Sequence, residues 1–305
     1  MGILRRRKQA EYRYQHLGEL EPPPGFDTLA TVGVGPDGPV GLWSALSRPD
    51  VALTSYSAAS LAATSVTIVP ELAIAFPLVQ PMSGGRYLVV GARCAWTEAT
   101  VEQNAVIVSA DGSIELRGTL GDGINHVNVD QRDDIWVAYS DEGIYGNYGW
   151  GGPGPEPLGS PGVVRWSSAF EKQWEYPQEG EVTIDDCYAL NVSDAGVWVC
   201  PYVDFPVLNI SDGDVRVHTT AEVEGPNGLI VSDDVVGLIG DYESPGALLI
   251  GRLNVDGPTR LRGSAIAMPD GSPVPTETLH CRGGTAHLFI DADWFTFSLS
   301  DTHES

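Results

Sequence analysis

The chain has 305 residues and a net charge of −24, with 41 acidic side chains against 17 basic ones. This balance argues against non-specific binding to nucleic acid or to anionic membranes, because their phosphates would be repelled. Hydrophobic residues make up 42% of the sequence, which is typical of a globular protein with a sizeable core. No apolar run approaches the roughly 20 residues that span a membrane. We therefore expect neither nucleic acid nor a membrane as a partner.

The start of the chain differs in charge from the remainder. Three arginines and a lysine occupy positions 5–8, and no apolar segment follows them that would make a secretion signal. We expect residues 1–10 to be a flexible basic tip and residues 11–305 to be a single domain. The four cysteines show neither CxxC nor zinc-site spacing, which indicates free thiols in a cytoplasmic protein. The strong preference for arginine over lysine is typical of a GC-rich bacterial genome.

A unit of two short apolar strands joined by a tight turn recurs along the chain. Runs rich in Val, Ile, Leu, Tyr and Trp alternate with Gly, Asp, Asn and Pro, which predicts an all-β fold. Six copies follow at intervals of roughly 40 to 50 residues, the length of a four-stranded β-propeller blade. The turns of the six copies are Pro36 to Gly38, Gly84-Gly85, Asp133-Asp134, Asp194 to Gly196, Asp233-Asp234 and Gly283-Gly284.

The outer halves of the blades are also visible in the sequence. Asp-Gly pairs at 111–112, 212–213 and 256–257 are strong hairpin signals between further strands. The sixth copy has a third strand from Trp294 but no room for a fourth, which would leave an open sheet edge. We expect residues 11–17 to fill this edge. The prediction is thus a six-bladed β-propeller with four-stranded antiparallel blades, closed by an N-terminal strand.

Two other architectures use the same strands. A seventh blade would need another copy between residues 46 and 75, but Ser65 to Val69 is better explained as the outer half of the first blade. Two stacked sandwiches would fit the strands but would not explain their even spacing. Six blades therefore remain the prediction.

Two of the copies resemble blades of a known class. The segments from Gly121 to Ala138 and from Pro226 to Asp234 share an Asn or Asp-Gly lead-in, an apolar strand and an Asp-containing turn. They resemble blades of the SMP-30/gluconolactonase and NHL-type six-bladed propellers. The segment from Tyr139 to Trp150 also resembles one in uncharacterised actinobacterial propeller proteins. For SMP-30-like enzymes, the resemblance implies a cation held by Glu, Asn and Asp of the inner strands.

Polar residues stand at the starts of the predicted innermost strands, which share one face of a propeller. Oxygen donors that converge there suit a hard divalent cation such as Ca²⁺. The resemblance implies that Asn227, in its Pro-Asn-Gly context, is one ligand of such a cation. The alternative is that these side chains cap strand ends and bind backbone amides or water. The predicted metal ligands are Asn125, Asp185, Asn227 and Glu277.

Candidate catalytic residues lie close to the same strand starts. His126 and His280 have the chemistry of an acid or base, and Asp186 is a carboxylate beside them in the predicted ring. No spacing of Ser, His and Asp indicates a catalytic triad. The alternative is that both histidines are structural and hydrogen-bonded. Cys187 follows two carboxylates that would raise its thiol pKa, so we do not expect it to be a nucleophile.

The segment from Ser140 to Pro161 joins the second and third strands of its blade and so lies on that same face. Long loops in compact domains are often functional, and Tyr and Trp suit the covering of a ligand. Alternatively, the aromatic residues pack and plug the top of the axial channel. The residues of this loop predicted to bind a ligand are Asp141, Glu142, Tyr145, Tyr148 and Trp150.

Two classes of function remain open. The first is a binding propeller that holds a small molecule, a peptide or a protein at the axial mouth and the aromatic loop. The second is a metal-assisted hydrolase or lactonase-like enzyme with an axial site, or another propeller enzyme of secondary metabolism. A bound cation with oxygen ligands at the axis would favour the enzyme, and an axis plugged by apolar side chains would favour the binding protein.

Overall fold

The structure is a computed structural model that describes residues 11–302, apart from residues 60, 195, 222 and 255. It contains one short helix, α1 (Asp141–Tyr145), and 3₁₀ turns at Ser83–Gly85 and Leu299–Thr302. No helix in this part of the chain is long and apolar enough to cross a membrane. The strands are β1 (Tyr12–Arg13), β2 (Gln15–Glu19), β3 (Thr28–Gly35), β4 (Gly38–Ser44), β5 (Val51–Tyr56), β6 (Ala63–Val69), β7 (Pro77–Met82), β8 (Arg86–Gly91), β9 (Ala105–Val108), β10 (Ile114–Gly118), β11 (Ile124–Val129), β12 (Ile135–Tyr139), β13 (Val163–Trp166), β14 (Lys172–Glu175), β15 (Cys187–Ser193), β16 (Gly196–Pro201), β17 (Val207–Ser211), β18 (Asp214–His218), β19 (Gly228–Ser232), β20 (Val235–Ile239), β21 (Ala247–Arg252), β22 (Leu261–Ala267), β23 (Thr278–Arg282), β24 (Thr285–Ile290) and β25 (Asp293–Ser298).

Six antiparallel blades form a closed propeller, which confirms the predicted fold class. Blades one to five are β3 to β6, β7 to β10, β11 to β14, β15 to β18 and β19 to β22, and blade six is β23 to β25 with β2. The first strand of each blade is innermost and packs beside that of the next blade. In the same way β23 packs beside β3, which closes the ring. Because β6 is the outer strand of blade one, the stretch considered for a seventh blade is accounted for.

The turns between first and second strands form where the sequence predicts them. Asp133 and Asp233 have left-handed backbone angles, with φ of 63° and 51°, which Asp tolerates better than most residues. Asp212 does the same at an outer hairpin, with φ of 51°. The prediction of a tight hairpin at Asp256-Gly257 is wrong, because the connection between the two strands is longer than a tight turn. β22 begins only at Leu261, so a longer loop follows β21.

The N-terminal segment closes the ring, but its residues are divided differently from the prediction. β2 pairs antiparallel with β25 and is the outer strand of blade six. β1 instead pairs parallel with β22 of blade five. Tyr14, between the two strands, is 2% exposed and lies 6.4 Å from the Phe297 ring. Residues 11–17 are therefore not one strand but a strap across two blades, and the predicted flexible tip at residues 1–10 lies outside the described residues.

Within each four-stranded blade neighbouring strands run antiparallel, so every innermost strand begins on the same face, which we call the upper face. Connections from second to third strands, and from one blade to the next, also lie there. The tight turns from first to second strands lie on the opposite, lower face. The upper loops are residues 20–27, 45–50, 70–76, 92–104, 119–123, 140–162, 176–186, 202–206, 219–227, 240–246, 268–277 and 291–292.

Two polar side chains close the lower end of the axis. Asn191 is fully buried, donates from Nδ2 to the carbonyls of Leu229 and Gly283, and accepts the Gly283 N–H at Oδ1, each at 2.8 Å. These bonds join blades four, five and six. The Arg282 guanidinium donates to backbone carbonyls of blades one and three. Burial lowers the pKa of Arg282 to about 10, so the side chain keeps its charge at neutral pH.

Candidate functional site

The loop at residues 140–162 folds back over blade two, and Arg93 holds it there. The Arg93 guanidinium donates to Asp122 Oδ2 at 2.9 Å and forms an ion pair with Glu142. It also lies 4.5 Å from the centroid of the Tyr148 ring. Asp122 is 3% exposed, so its charge is removed from water and balanced by the arginine. Glu142, a predicted ligand-binding residue, is thereby engaged within the protein.

Trp150 lies beneath this loop and not on its surface. It is 7% exposed, and its indole N–H donates to the Cys94 carbonyl at 2.8 Å. Gly149 has a φ of 92°, and a Cβ there would meet the Trp96 carbonyl oxygen at 2.1 Å, so the close approach to blade two requires glycine. Trp150 thus attaches the loop. Of the three aromatic residues predicted to cover a ligand, solvent reaches Tyr145 and Tyr148.

Predicted site residues meet at the boundary of blades three and four. The Tyr145 hydroxyl donates to Asp185 Oδ1 at 2.6 Å, and Asn125 Nδ2 donates to Asp186 Oδ1 at 3.0 Å. Burial raises the pKa of Asp186, and the charge of Asp141 raises it further. A cation or a proton near Asp186 would relieve this repulsion.

A cavity of about 170 Å³ lies on the axis, open to the innermost strands of all six blades. Its walls combine aliphatic with polar side chains, and the predicted carboxylates are not among the residues that line it. The side chains that were predicted as site residues and do line it are Asn125, His126, Asn227 and His280.

Two buried polar atoms at this cavity have no hydrogen-bond partner in the described part of the chain. They are Nε2 of His280 and Oε1 of Gln80, which is 2% exposed. His126 is satisfied, since its Nε2 donates to the Tyr188 carbonyl at 3.1 Å. A cavity of this volume has room for water molecules that would complete the missing bonds. Gln80 was not predicted, because an amide within an apolar strand carries no motif.

The axial imidazoles are uncharged at neutral pH. Burial lowers the pKa of His126 and of His280 to about 4, and that of His287, which pairs with His280 across the blade, to about 3. An uncharged imidazole can accept a proton but has no acidic proton to give at neutral pH. Catalysis by His126, His280 and Asp186 stays a prediction. Because the two imidazoles are uncharged at neutral pH, they could start a reaction as bases but not as acids.

We expect the stability of the protein to fall as pH is lowered from 7 to 5. In the unfolded chain His has a pKa near 6.5, so the unfolded state takes up protons below that pH while the buried imidazoles do not. The stability they contribute is therefore complete above about pH 6.5 and is lost as the pH falls towards 4. Urea unfolding at pH 7, 6 and 5 measures this slope. His280→Gln removes one of these imidazoles and should flatten the slope.

The predicted metal ligands are divided among three places. Asn125 and Asn227 line the cavity, Asp185 lies at the blade boundary, and Glu277 is exposed in its loop. Among residues 11–302 as described, no three His, Cys, Asp or Glu side chains gather closely enough to hold a metal ion. A calcium site here stays a prediction. Cys187 is buried, and burial raises its thiol pKa well above the ordinary value, in agreement with an unreactive cysteine.

The upper face also carries exposed apolar side chains. In the described chain, the large hydrophobic residues that are strongly exposed lie in upper loops, except Val66 and Ile68 on the outer strand β6. Tyr202 and Tyr242 were not predicted, although each follows closely on the second strand of its blade. The strongly exposed large hydrophobic residues of the upper loops are Leu46, Phe76, Val101, Tyr145, Tyr148, Tyr202 and Tyr242.

The same loops are strongly acidic. Arg48 and Arg93 are their only basic residues, against acidic residues in every upper loop. Both arginines are already engaged, Arg48 with Asp50 and Arg93 with Asp122 and Glu142. Carboxylates interspersed with exposed aromatic rings attract cations, through charge and through the ring faces.

No family model matches the chain, and no curated protein matches its sequence. Solved structures do share its fold. A gluconolactonase from Xanthomonas campestris is 15% identical with a TM-score of 0.48, and the match covers 95% of this chain and 96% of that one. The calcium-binding protein regucalcin from Agrobacterium tumefaciens is 10% identical with a TM-score of 0.47, and the match covers 94% of each chain.

A WD40 domain is similar in fold as well. That of Neurospora crassa Pan2 is 9% identical with a TM-score of 0.48, and the match covers 89% of this chain and 75% of that one. Gluconolactonase, regucalcin and the WD40 domain are thus among the solved structures with a similar fold. At these identities the similarity is one of fold.

Proposed function

We propose that the protein is a binding propeller whose upper face holds a basic protein or peptide. The observation that carries this proposal is the concentration of exposed aromatic side chains on that face. Solvent-exposed apolar side chains gathered on one side of a monomer are typical of an interaction surface. Tyr, with its apolar ring and polar hydroxyl, is among the residues enriched at interfaces.

The charge of the face supports a basic partner. Its two arginines are neutralised within the protein, so the remaining carboxylates of the upper loops present negative charge to solvent. A basic segment would gain attraction from this field and lose none to like charge. An acidic or phosphorylated partner would be repelled by the same loops.

We expect a short lysine-rich peptide to bind the protein and a glutamate-rich peptide of the same length not to bind. Asp204→Asn with Glu243→Gln should weaken binding severalfold, because it removes two charges from the upper face. Asp212→Asn with Asp214→Asn removes the same charge from the lower face and should leave the affinity within about twofold. Isothermal titration at two salt concentrations measures the effect. Equal weakening by both pairs would mean that the face plays no part.

The sequence leaves a metal-assisted enzyme as the alternative, and titration distinguishes the two. We expect Ca²⁺, Mg²⁺, Mn²⁺ and Zn²⁺ to leave the melting temperature of chelator-treated protein unchanged, since Asp185 and Asp186 are already hydrogen-bonded to Tyr145 and Asn125. A resident ion would instead raise stability by RT ln(1 + [L]/Kd). A rise that Asp186→Asn abolishes and Asp212→Asn preserves would favour the enzyme.

A further inference from the structure

Four aromatic side chains form a cluster on the upper face where blades four and five meet. We call Tyr188, Tyr202, Phe205 and Tyr242 the tyrosine cluster. Phe205 is 8% exposed, and its ring centroid lies 5.3, 5.6 and 6.3 Å from those of Tyr188, Tyr202 and Tyr242. Tyr202 is 46% and Tyr242 is 61% exposed. A buried phenylalanine thus supports tyrosines whose rings solvent reaches.

The backbone beneath the cluster is held in an unfavourable conformation. Asp204 and Phe205 have φ of 58° and 44°, in the left-handed region that a side chain as bulky as Phe rarely adopts. Backbone strain of this kind persists where the surrounding structure determines it and is concentrated at functional sites. The Tyr202 N–H donates to the Asp186 carbonyl at 2.9 Å, which ties this loop to the acidic residues before β15.

The rings of the cluster meet at different angles. Tyr188 and Tyr202 are stacked, with 23° between their planes, whereas Tyr188 and Tyr242 are perpendicular at 90°. The hydroxyls of Tyr188 and Tyr242 are 3.5 Å apart. Perpendicular rings present two faces to a compact, round cation, whereas a planar guanidinium is suited to stacking on one face.

Charge around the cluster is uniformly negative. Every charged residue in the four upper loops nearest to it, 176–186, 202–206, 219–227 and 240–246, is acidic. The hydrogen bond with Tyr242 and burial raise the pKa of Tyr188, and the negative charge of Asp186 raises it further. Negative charge beside aromatic faces favours a cation over a neutral group of the same shape.

Elsewhere on the upper face, two aromatic rings, buried Phe26 and exposed Tyr148, already carry an arginine of the same chain. Arg48 lies 4.2 Å from the Phe26 centroid, and Arg93 lies 4.5 Å from that of Tyr148. Within the described residues, no lysine or arginine lies over a ring of the tyrosine cluster. These rings therefore remain open to a cation from outside.

We propose that the tyrosine cluster binds the ammonium group of a lysine side chain presented by the basic partner. This inference rests on the proposed function and names the group that the upper face recognises. The cation would lie against the Tyr188, Tyr202 and Tyr242 rings, with the nearby carboxylates supplying long-range attraction.

Choline and its neutral isostere 3,3-dimethylbutan-1-ol test the cluster without the partner. In NMR titrations of the full chain, choline should bind saturably and the isostere about tenfold more weakly or not at all. Tyr242→Leu should weaken choline binding by about three- to fivefold, the size of an exposed cation–π contact. Tyr242→Phe keeps the ring, so its affinity for choline should stay within about twofold of that of the unchanged protein. Tyr148→Leu, whose ring Arg93 already covers, should have no effect.

Equal binding of choline and the isostere, or indifference to Tyr242→Leu, would overturn the inference. Binding of a lysine-rich peptide distinguishes a failure of this inference from a failure of the proposed function. Acetylation of the peptide's lysines, or Tyr242→Leu in the protein, should weaken the binding of that peptide. If the peptide binds at the upper face but is insensitive to Tyr242→Leu, the proposed function stands and this inference fails. If choline binds but the peptide does not, the proposed function fails.

The chain's own basic tip is a competing occupant. In a full-length variant with the four basic residues at positions 5–8 changed to Gln, choline affinity should be unchanged. An increase in affinity would mean that the tip occupies the cluster, and would overturn an external lysine as its ligand.

Discussion

Deletion of residues 1–19 should lower the free energy of unfolding by more than about 5 kcal/mol. The deletion removes β1 and β2 and leaves the edges of β22 and β25 unpaired. It also removes Tyr12 and Tyr14, which are 6% and 2% exposed and lie beside Phe297. Loss of one buried aromatic side chain typically costs about 3 to 5 kcal/mol. Domains are stable by only about 5–15 kcal/mol in total, so this loss approaches global unfolding.

Thermal and urea unfolding of the truncated chain measure the loss. A shorter deletion of residues 1–10 is the matched control, since it precedes β1, and it should leave the melting temperature unchanged. If the longer deletion prevents expression, Tyr14→Ala in the full chain tests the same packing and should cost about 3 kcal/mol or more. Unchanged melting of the protein without residues 1–19 would contradict closure by the N-terminal strap.

The blades were predictable because their signals are local. A hairpin is specified by alternating apolar residues and by Asp or Gly at the turn, and all of these lie within a dozen residues. The missing outer strand of blade six was also predictable, because an open sheet edge must be covered. The division of residues 11–19 between two blades was not. The pairing of β1 with β22 joins Tyr12 to Ile266, and nothing near Tyr12 in sequence indicates that partner.

The candidate site shows the same limit. His126, His280, Asn125 and Asn227 line the axial cavity, because strand starts share one face, whereas Asp185, Asp186 and Glu277, predicted by the same argument, do not. Their surroundings depend on residues far away in sequence. Arg93 binds Glu142 across blades, and this is why the 140–162 loop folds over blade two.

The tyrosine cluster could have been found from sequence in part. Tyr202 directly follows β16, and Tyr242 is the third residue after β20, so each lies in the loop after the second strand of its blade. Because these loops lie on the upper face, both tyrosines are placed there. Their common contact with Phe205 depends on the left-handed turn at Asp204 and Phe205. The sequence has no glycine or asparagine there that would indicate such a turn.

Substitution of Asn191 by Ala should cost about 3 kcal/mol or more, although the side chain lies far from the upper face. The change removes three hydrogen bonds between blades and leaves the Leu229 carbonyl and the Gly283 N–H without their Asn191 partner, whereas the Gly283 carbonyl still accepts the Val231 N–H at 2.9 Å. An unsatisfied buried polar group typically costs about 1–3 kcal/mol. Asn191→Asp keeps the acceptor for Gly283 but loses both donated bonds, so it should not restore stability.

Urea unfolding of Asn191→Ala and Asn209→Ala provides the comparison. Asn209 lies in the same blade, and its buried Nδ2 has no hydrogen-bond partner in the described chain, so its loss should cost less than about 1 kcal/mol. A second measurement reports on the axis itself. If Asn191 helps to seal the lower end, Asn191→Ala should admit water to the axial cavity and move the His280 pKa upward from about 4 towards 6.5 in an NMR titration. Equal costs for the two variants, with an unchanged His280 titration, would show that the three bonds do not hold the lower end closed.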